Sequence, residues 1–126
     1  MATTKGVFNS VLNNFSLGTN VSKSENTNYQ AEEDGFFIGT IITIDSTTHV
    51  ERLTALSDSA GTPTTVKGYA TILPHSAAQN VAGQAASFCI PVKKNDFYRA
   101  TYTLLQGSTS STRVYTWIPF SKTSST

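Results

Sequence analysis

The stretch Phe97-Tyr98-Arg99-Ala100-Thr101-Tyr102-Thr103-Leu104-Leu105 decides the fold class. Tyr98, Ala100, Tyr102 and Leu104 fall on one side of a two-residue period, and Arg99, Thr101 and Thr103 fall on the other. That alternation is what a half-buried β-strand requires. Just upstream, Lys93-Lys94-Asn95-Asp96 supplies a turn, and its Asn-Asp pair suits a left-handed backbone position. Ala86–Val92 before that turn reads as a strand. So does Arg113–Phe120 beyond the Gly/Ser/Thr turn Gln106–Thr112, with Pro119 and a polar tail as its stop.

The same pattern extends toward the N-terminus. Gly35–Ile44 (GFFIGTIITI) is the most apolar segment; its β-branched and aromatic content favours a strand, and its two apolar faces place it inside a sheet or against a partner subunit. Val50–Leu56 and Thr65–Leu73 add two amphipathic strands separated by the loop Ser57–Pro63, and Pro74–Gln84 is a long polar loop. Seven or eight short strands with turns between them predict an all-β, two-sheet antiparallel sandwich of jelly-roll type. Residues 29–120 form that domain, residues 121–126 a polar tail, and residues 1–28 an N-terminal arm or short helix. In the arm Val7, Phe8, Val11, Leu12 and Phe15 recur at helical spacing and offer an apolar anchor, and Ser22–Asn28 reads as a linker.

At 126 residues the chain suits one domain. Ser and Thr exceed a quarter of it, and 9 Lys+Arg stand against 8 Asp+Glu, a sparse and balanced charge that argues against nucleic-acid binding. Cys89 is the single cysteine, so no intrachain disulfide forms, and its place in a strand suggests a buried thiol. The N-terminal sequence carries neither a secretory signal nor a membrane span, so synthesis in a cytoplasm without membrane insertion is expected.

Chemistry is scarce in the sequence. His49 and His75 have no nucleophile signature around them, and no pair of carboxylates stands out for glycoside hydrolysis, with Glu51 the one acid worth testing. Glu32-Glu33-Asp34 is the densest acidic run, yet adjacent residues entering a strand point apart, so a turn is expected there instead of a metal site. No enzyme activity, cofactor or metal is expected. Trp117 could stack on a sugar, but the large area it buries favours a place in the core.

Three segments taken together carry a resemblance: Tyr29–Phe37 (YQAEEDGFF), Ile90–Tyr98 (IPVKKNDFY) and Tyr115–Phe120 (YTWIPF). Their order and spacing resemble the small trimeric jelly-roll domains of bacteriophage tail-fibre tips and particle surfaces, which are similar to the tumour-necrosis-factor and C1q type of β-sandwich. Asn95 stands where that pattern has glycine, and Glu32-Glu33 where it commonly has proline-serine.

The resemblance implies a homotrimer at a virion surface that binds a host cell-surface glycan or protein. It also implies a trimer contact drawn from the apolar strands, at Phe37, Ile41, Tyr98, Tyr102 and Tyr115. Ligand contacts are expected from the loops, at Asp58, His75 and Asn80. The alternative is a capsid decoration or head-fibre protein held to other virion proteins by the arm. The self-contained chain beginning at Met1 motivates that alternative.

Overall fold

The computed structural model of the chain describes residues 15–43, 50–73, 84–107 and 111–122. Nine strands make up the described fold: β1 (Phe15–Leu17), β2 (Val21–Lys23), β3 (Tyr29–Gln30), β4 (Gly35–Thr43), β5 (Val50–Asp58), β6 (Val66–Ile72), β7 (Gln84–Val92), β8 (Phe97–Gln106) and β9 (Ser111–Lys122). One sheet has the order β1-β9-β4-β7, with β2 also on β9; the other has the order β3-β8-β5-β6. Every pairing is antiparallel. The two sheets face each other as a sandwich of jelly-roll type, because consecutive strands repeatedly cross from one sheet to the other.

Alternation drives the packing. Phe37 and Ile41 of β4, Leu53 and Ala55 of β5, Phe88 and Ile90 of β7, Tyr98 and Ala100 of β8, and Tyr115 and Trp117 of β9 all turn inward and are buried. Phe37 sits among three rings, with centroids 5.4 Å from Phe88, 4.9 Å from Tyr98 and 6.3 Å from Tyr115. Truncating such a side chain to alanine typically costs about 3–5 kcal/mol. Two glycines of β4 make room for this aromatic layer. A Cβ on Gly39 would lie 2.3 Å from the Phe88 ring, and one on Gly35 would lie 2.6 Å from the Trp117 ring.

The expected strands are present, with shifted ends. β5 runs on to Asp58, β7 begins at Gln84, and β9 extends from Ser111 to Lys122 straight through Pro119. Pro119 is tolerated because it lies opposite Gly35, the first residue of β4, and its carbonyl accepts the Gly18 N–H at 2.7 Å. Pro91 lies on β7, an edge strand, where a missing N–H is harmless.

Residues 15–23 depart from the expected arm and linker, since β1 and β2 are both zipped onto β9. They belong to the sandwich, as do residues 121 and 122 of the expected tail. Phe15, expected as part of the anchor, pairs through its backbone with Lys122. Val7, Phe8, Val11 and Leu12 lie outside the described residues.

The three segments that carry the resemblance meet at one end of the sandwich. Ala31 donates to the Asp96 carbonyl at 2.8 Å and accepts from Asn95 at 2.8 Å, Asp34 Oδ1 accepts the Lys94 N–H at 2.7 Å, and Phe120 donates to the Asp34 carbonyl at 2.7 Å. Asn95 takes φ 76°, the left-handed conformation expected of this turn.

Candidate functional site

Two surfaces stand out once the inward residues are assigned. The first is the outward face of the sheet built on β4, β9 and β7. From β4 it presents Phe36, Ile38, Thr40 and Ile42, from β9 Thr112, Val114, Thr116, Ile118 and Phe120, and from β7 Ala85, Ser87, Cys89 and Pro91. None of these side chains is charged. Ile42 is 45 % exposed and Val114 50 % exposed, and Thr40 and Ser87 bond across the strands at 2.9 Å. Phe36 and Phe120 meet edge-to-face at 4.9 Å toward the end where the three segments converge.

The second surface is a cleft of about 270 Å³ at the edge where β2 of one sheet and β3 of the other stay apart. Val21, Lys23, Gln30, Glu32, Glu33 and Pro119 line it, with Tyr98 and Trp117 at its base. Strand pairing explains the placement: Val21 lies opposite Trp117 and Tyr29 opposite Tyr98, so the edge strands bring their inward side chains to the same opening. Tyr98 stacks on Trp117 with centroids 4.6 Å apart and planes at 14°, and Tyr29 stacks on Tyr98 at 5.5 Å. The Lys23 ammonium caps the Tyr29 ring at 4.3 Å. Burial pushes the Tyr98 phenol well above its ordinary pKa, with the nearby Tyr29 phenol and Glu32 carboxylate adding to the shift.

The expected trimer contacts require correction. Phe37, Ile41, Tyr98 and Tyr115 are 0–3 % exposed within the single chain, so their rings and branches fill its own core and offer a second copy no contact area to bury. Tyr102 is half-buried, and its hydroxyl donates to Glu51 Oε1 at 2.6 Å beneath the Arg113 guanidinium, which lies 3.9 Å above its ring. These residues occupy the inward positions of strands whose outward neighbours are the ones left exposed.

Asp58, expected to contact ligand, is committed to its own loop. Its carboxylate accepts the backbone N–H groups of Ala60 at 2.9 Å, Thr64 at 2.9 Å and Thr65 at 3.0 Å. The N–H groups of Thr64 and Ala60 above all lower its pKa from 3.8 to about 2. A carboxylate with three backbone donors has little left to offer a ligand. His75 and Asn80, like His49, lie outside the described residues.

Glu51 is fully buried and accepts hydrogen bonds from the Tyr102 hydroxyl and, at 2.9 Å, from the Ser111 hydroxyl. Arg113 links this group to Glu25 through a 2.8 Å ion pair. Such a carboxylate braces the far end of the two sheets and is out of reach of a bulky substrate. Cys89, expected buried, is exposed, because the inward positions of β7 belong to Phe88, Ile90 and Val92. Trp117 is a core residue at 7 % exposure, as its large apolar area suggested. Among the described residues no group of three or more His, Cys, Asp or Glu side chains is placed to hold a metal ion. Comparison of the chain with protein-family models, curated proteins and solved structures finds no match.

Proposed function

We propose that this chain is a non-enzymatic surface protein of a bacteriophage virion, a homotrimeric jelly roll on the tail fibre or tail tip that binds a host cell-surface receptor. The observation that carries the proposal is the uncharged outward face of β4, β9 and β7. An uncharged face that leaves Ile42 and Val114 about half exposed among Thr and Ser hydroxyls and further apolar side chains is costly to leave in water, and such faces mark association sites. Identical faces closing around a three-fold axis remove it from solvent without leaving an open, polymerising end. Trimerisation also multiplies weak receptor contacts: three sites of millimolar affinity gain on the order of 10²–10⁴ through simultaneous engagement. The resemblance of the Tyr29–Phe37, Ile90–Tyr98 and Tyr115–Phe120 segments to phage jelly rolls, and their convergence at one end of the sandwich, support the virion setting.

A second reading, a capsid decoration or head-fibre protein, is favoured by a specific feature. β1, the first described strand, lies at the outer edge of the same sheet, and the apolar Val7, Phe8, Val11 and Leu12 precede it in the sequence. Gold-labelled antibody against the chain, imaged on intact particles, tests both readings. Label at the tail end is the expected result, label over the capsid selects the second reading, and unlabelled particles overturn both.

A further inference from the structure

Tyr98 and Trp117 leave a gap in the hydrogen-bond accounting of the core. Tyr98 is 1 % exposed and Trp117 7 % exposed. The hydroxyls of Tyr102 and Tyr115 reach Glu51 and Glu25. No described residue bonds the Tyr98 hydroxyl or the Trp117 indole N–H. Buried polar groups without a partner are rare in native proteins, and each calls for an explanation. Both residues line one cleft, so a partner for them, a water or a ligand hydroxyl, is supplied from that cleft.

The rest of the lining narrows the partner's chemistry. Glu32 and Glu33 bring two carboxylates, which only accept hydrogen bonds. Gln30 gives one amide N–H to the Asn95 carbonyl at 3.2 Å and keeps its second N–H and its oxygen, so it can both donate and accept. The indole N–H of Trp117 only donates. An ammonium ligand has no lone pair for that N–H, and Lys23 already brings a positive charge to the opening. An anion meets two carboxylates. A neutral hydroxyl both donates to the carboxylates and accepts from the indole, and Val21 and Pro119 offer the apolar contact that a sugar ring adds beyond water. The volume equals roughly nine waters at ~30 Å³ each, which suits one sugar ring inside the cleft.

We propose that the cleft between β2 and β3 is a subsite for one neutral, hexose-sized sugar residue, bound through its hydroxyls by Glu32, Glu33, Tyr98 and Trp117. The subsite deepens the receptor-binding role proposed above and rests on it. It also relocates recognition from the loops to the open edge of the sandwich.

Trp117 is the only tryptophan in the chain, so its fluorescence reads the cleft directly. The full-length protein is titrated with the methyl glycosides of glucose, galactose, mannose and N-acetylglucosamine. At least one should give a saturable change with a dissociation constant in the millimolar range, as expected for a single shallow subsite. Glu32→Gln should weaken it about tenfold, the loss of one charge-assisted hydrogen bond. Tyr98→Phe should weaken binding while leaving the melting temperature unchanged or raised, because it removes a buried hydroxyl that no protein group bonds.

Absence of a saturable response to every glycoside up to about 100 mM, a concentration that would expose even very weak binding, overturns the subsite. So does a response to ethanolamine or sulfate in place of the sugars, or sugar binding unaltered in both variants. Host-cell adhesion separates this inference from the role it rests on. Adhesion that persists undiminished in Glu32→Gln overturns the subsite alone, and adhesion missing from the wild type overturns the receptor role while the titration still decides the subsite.

Discussion

The outward faces of the two sheets differ in chemistry although their inward faces are alike. Across the sandwich from the uncharged face, the sheet of β5, β8 and β6 turns Arg52 and Arg99 to solvent, each with a local partner. Arg52 Nε donates to Thr71 Oγ1 at 3.1 Å and its guanidinium lies 4.8 Å above the Tyr69 ring, and Arg99 donates to Asn28 Oδ1 at 3.1 Å. Tyr69 is 55 % exposed there, yet the guanidinium above it keeps that surface hydrated. On the β4 face, Ile42 and Val114 have only Thr, Ser and apolar neighbours across the strands. Folding a single chain needs two inward faces, so an outward face without charge points to a requirement beyond folding.

The largest effect should come from making the two outward faces alike. Ile42→Glu combined with Val114→Glu places like charges on the face proposed as the contact between copies. The dissociation constant of the assembly should rise at least about 100-fold, close to 3 kcal/mol, while the monomer keeps its fold. Sedimentation velocity reads both, and an unchanged assembly would remove the β4 face from the contact.

Gly39→Ala probes the inward side of the same strand. The added Cβ forces the Phe88 ring to move, and denaturant unfolding should show a loss of about 1–3 kcal/mol. On the other sheet, Arg52→Ser and Arg99→Ser should change stability by no more than about 0.5 kcal/mol and leave assembly untouched. A marked loss of assembly there would reverse the assignment of the two faces.

The smallest effect belongs to Asp58, at the end of β5. Its folded pKa of about 2 lies below the ordinary 3.8, so its contribution is fully present above pH 3.8 and is lost as pH falls through about 2. Melting temperatures followed from about pH 5 to about pH 2 should fall less steeply in Asp58→Asn than in the wild type.

The sandwich was legible wherever a strand is long enough to alternate. β4 through β9 each span seven residues or more, and the two-residue period locates them within a few positions. β1, β2 and β3 hold two or three residues each, too few to establish a period, and they form because β9 and β8 offer open edges. Surplus apolar surface on β4 is readable from its sequence, but residue type alone points to Phe37 and Ile41 as the surplus, whereas Phe36, Ile38 and Ile42 are the residues that face outward. With a period of two, a shift of one residue exchanges the faces. Cys89 failed similarly, because its residue type suggested burial while the parity of Phe88 and Ile90 already turned it outward. The cleft could not be read at all, since Lys23, Glu32, Tyr98 and Trp117 meet only through the pairing of β2 with β9 and of β3 with β8.

The claim most open to direct test is that the uncharged face is covered by other copies of the chain. Sedimentation equilibrium of the wild-type protein at micromolar concentration measures this without a label or a partner. A single species of about 40 kDa, three times the 13.5 kDa chain, is predicted. A species of 13.5 kDa that persists as concentration rises would contradict it.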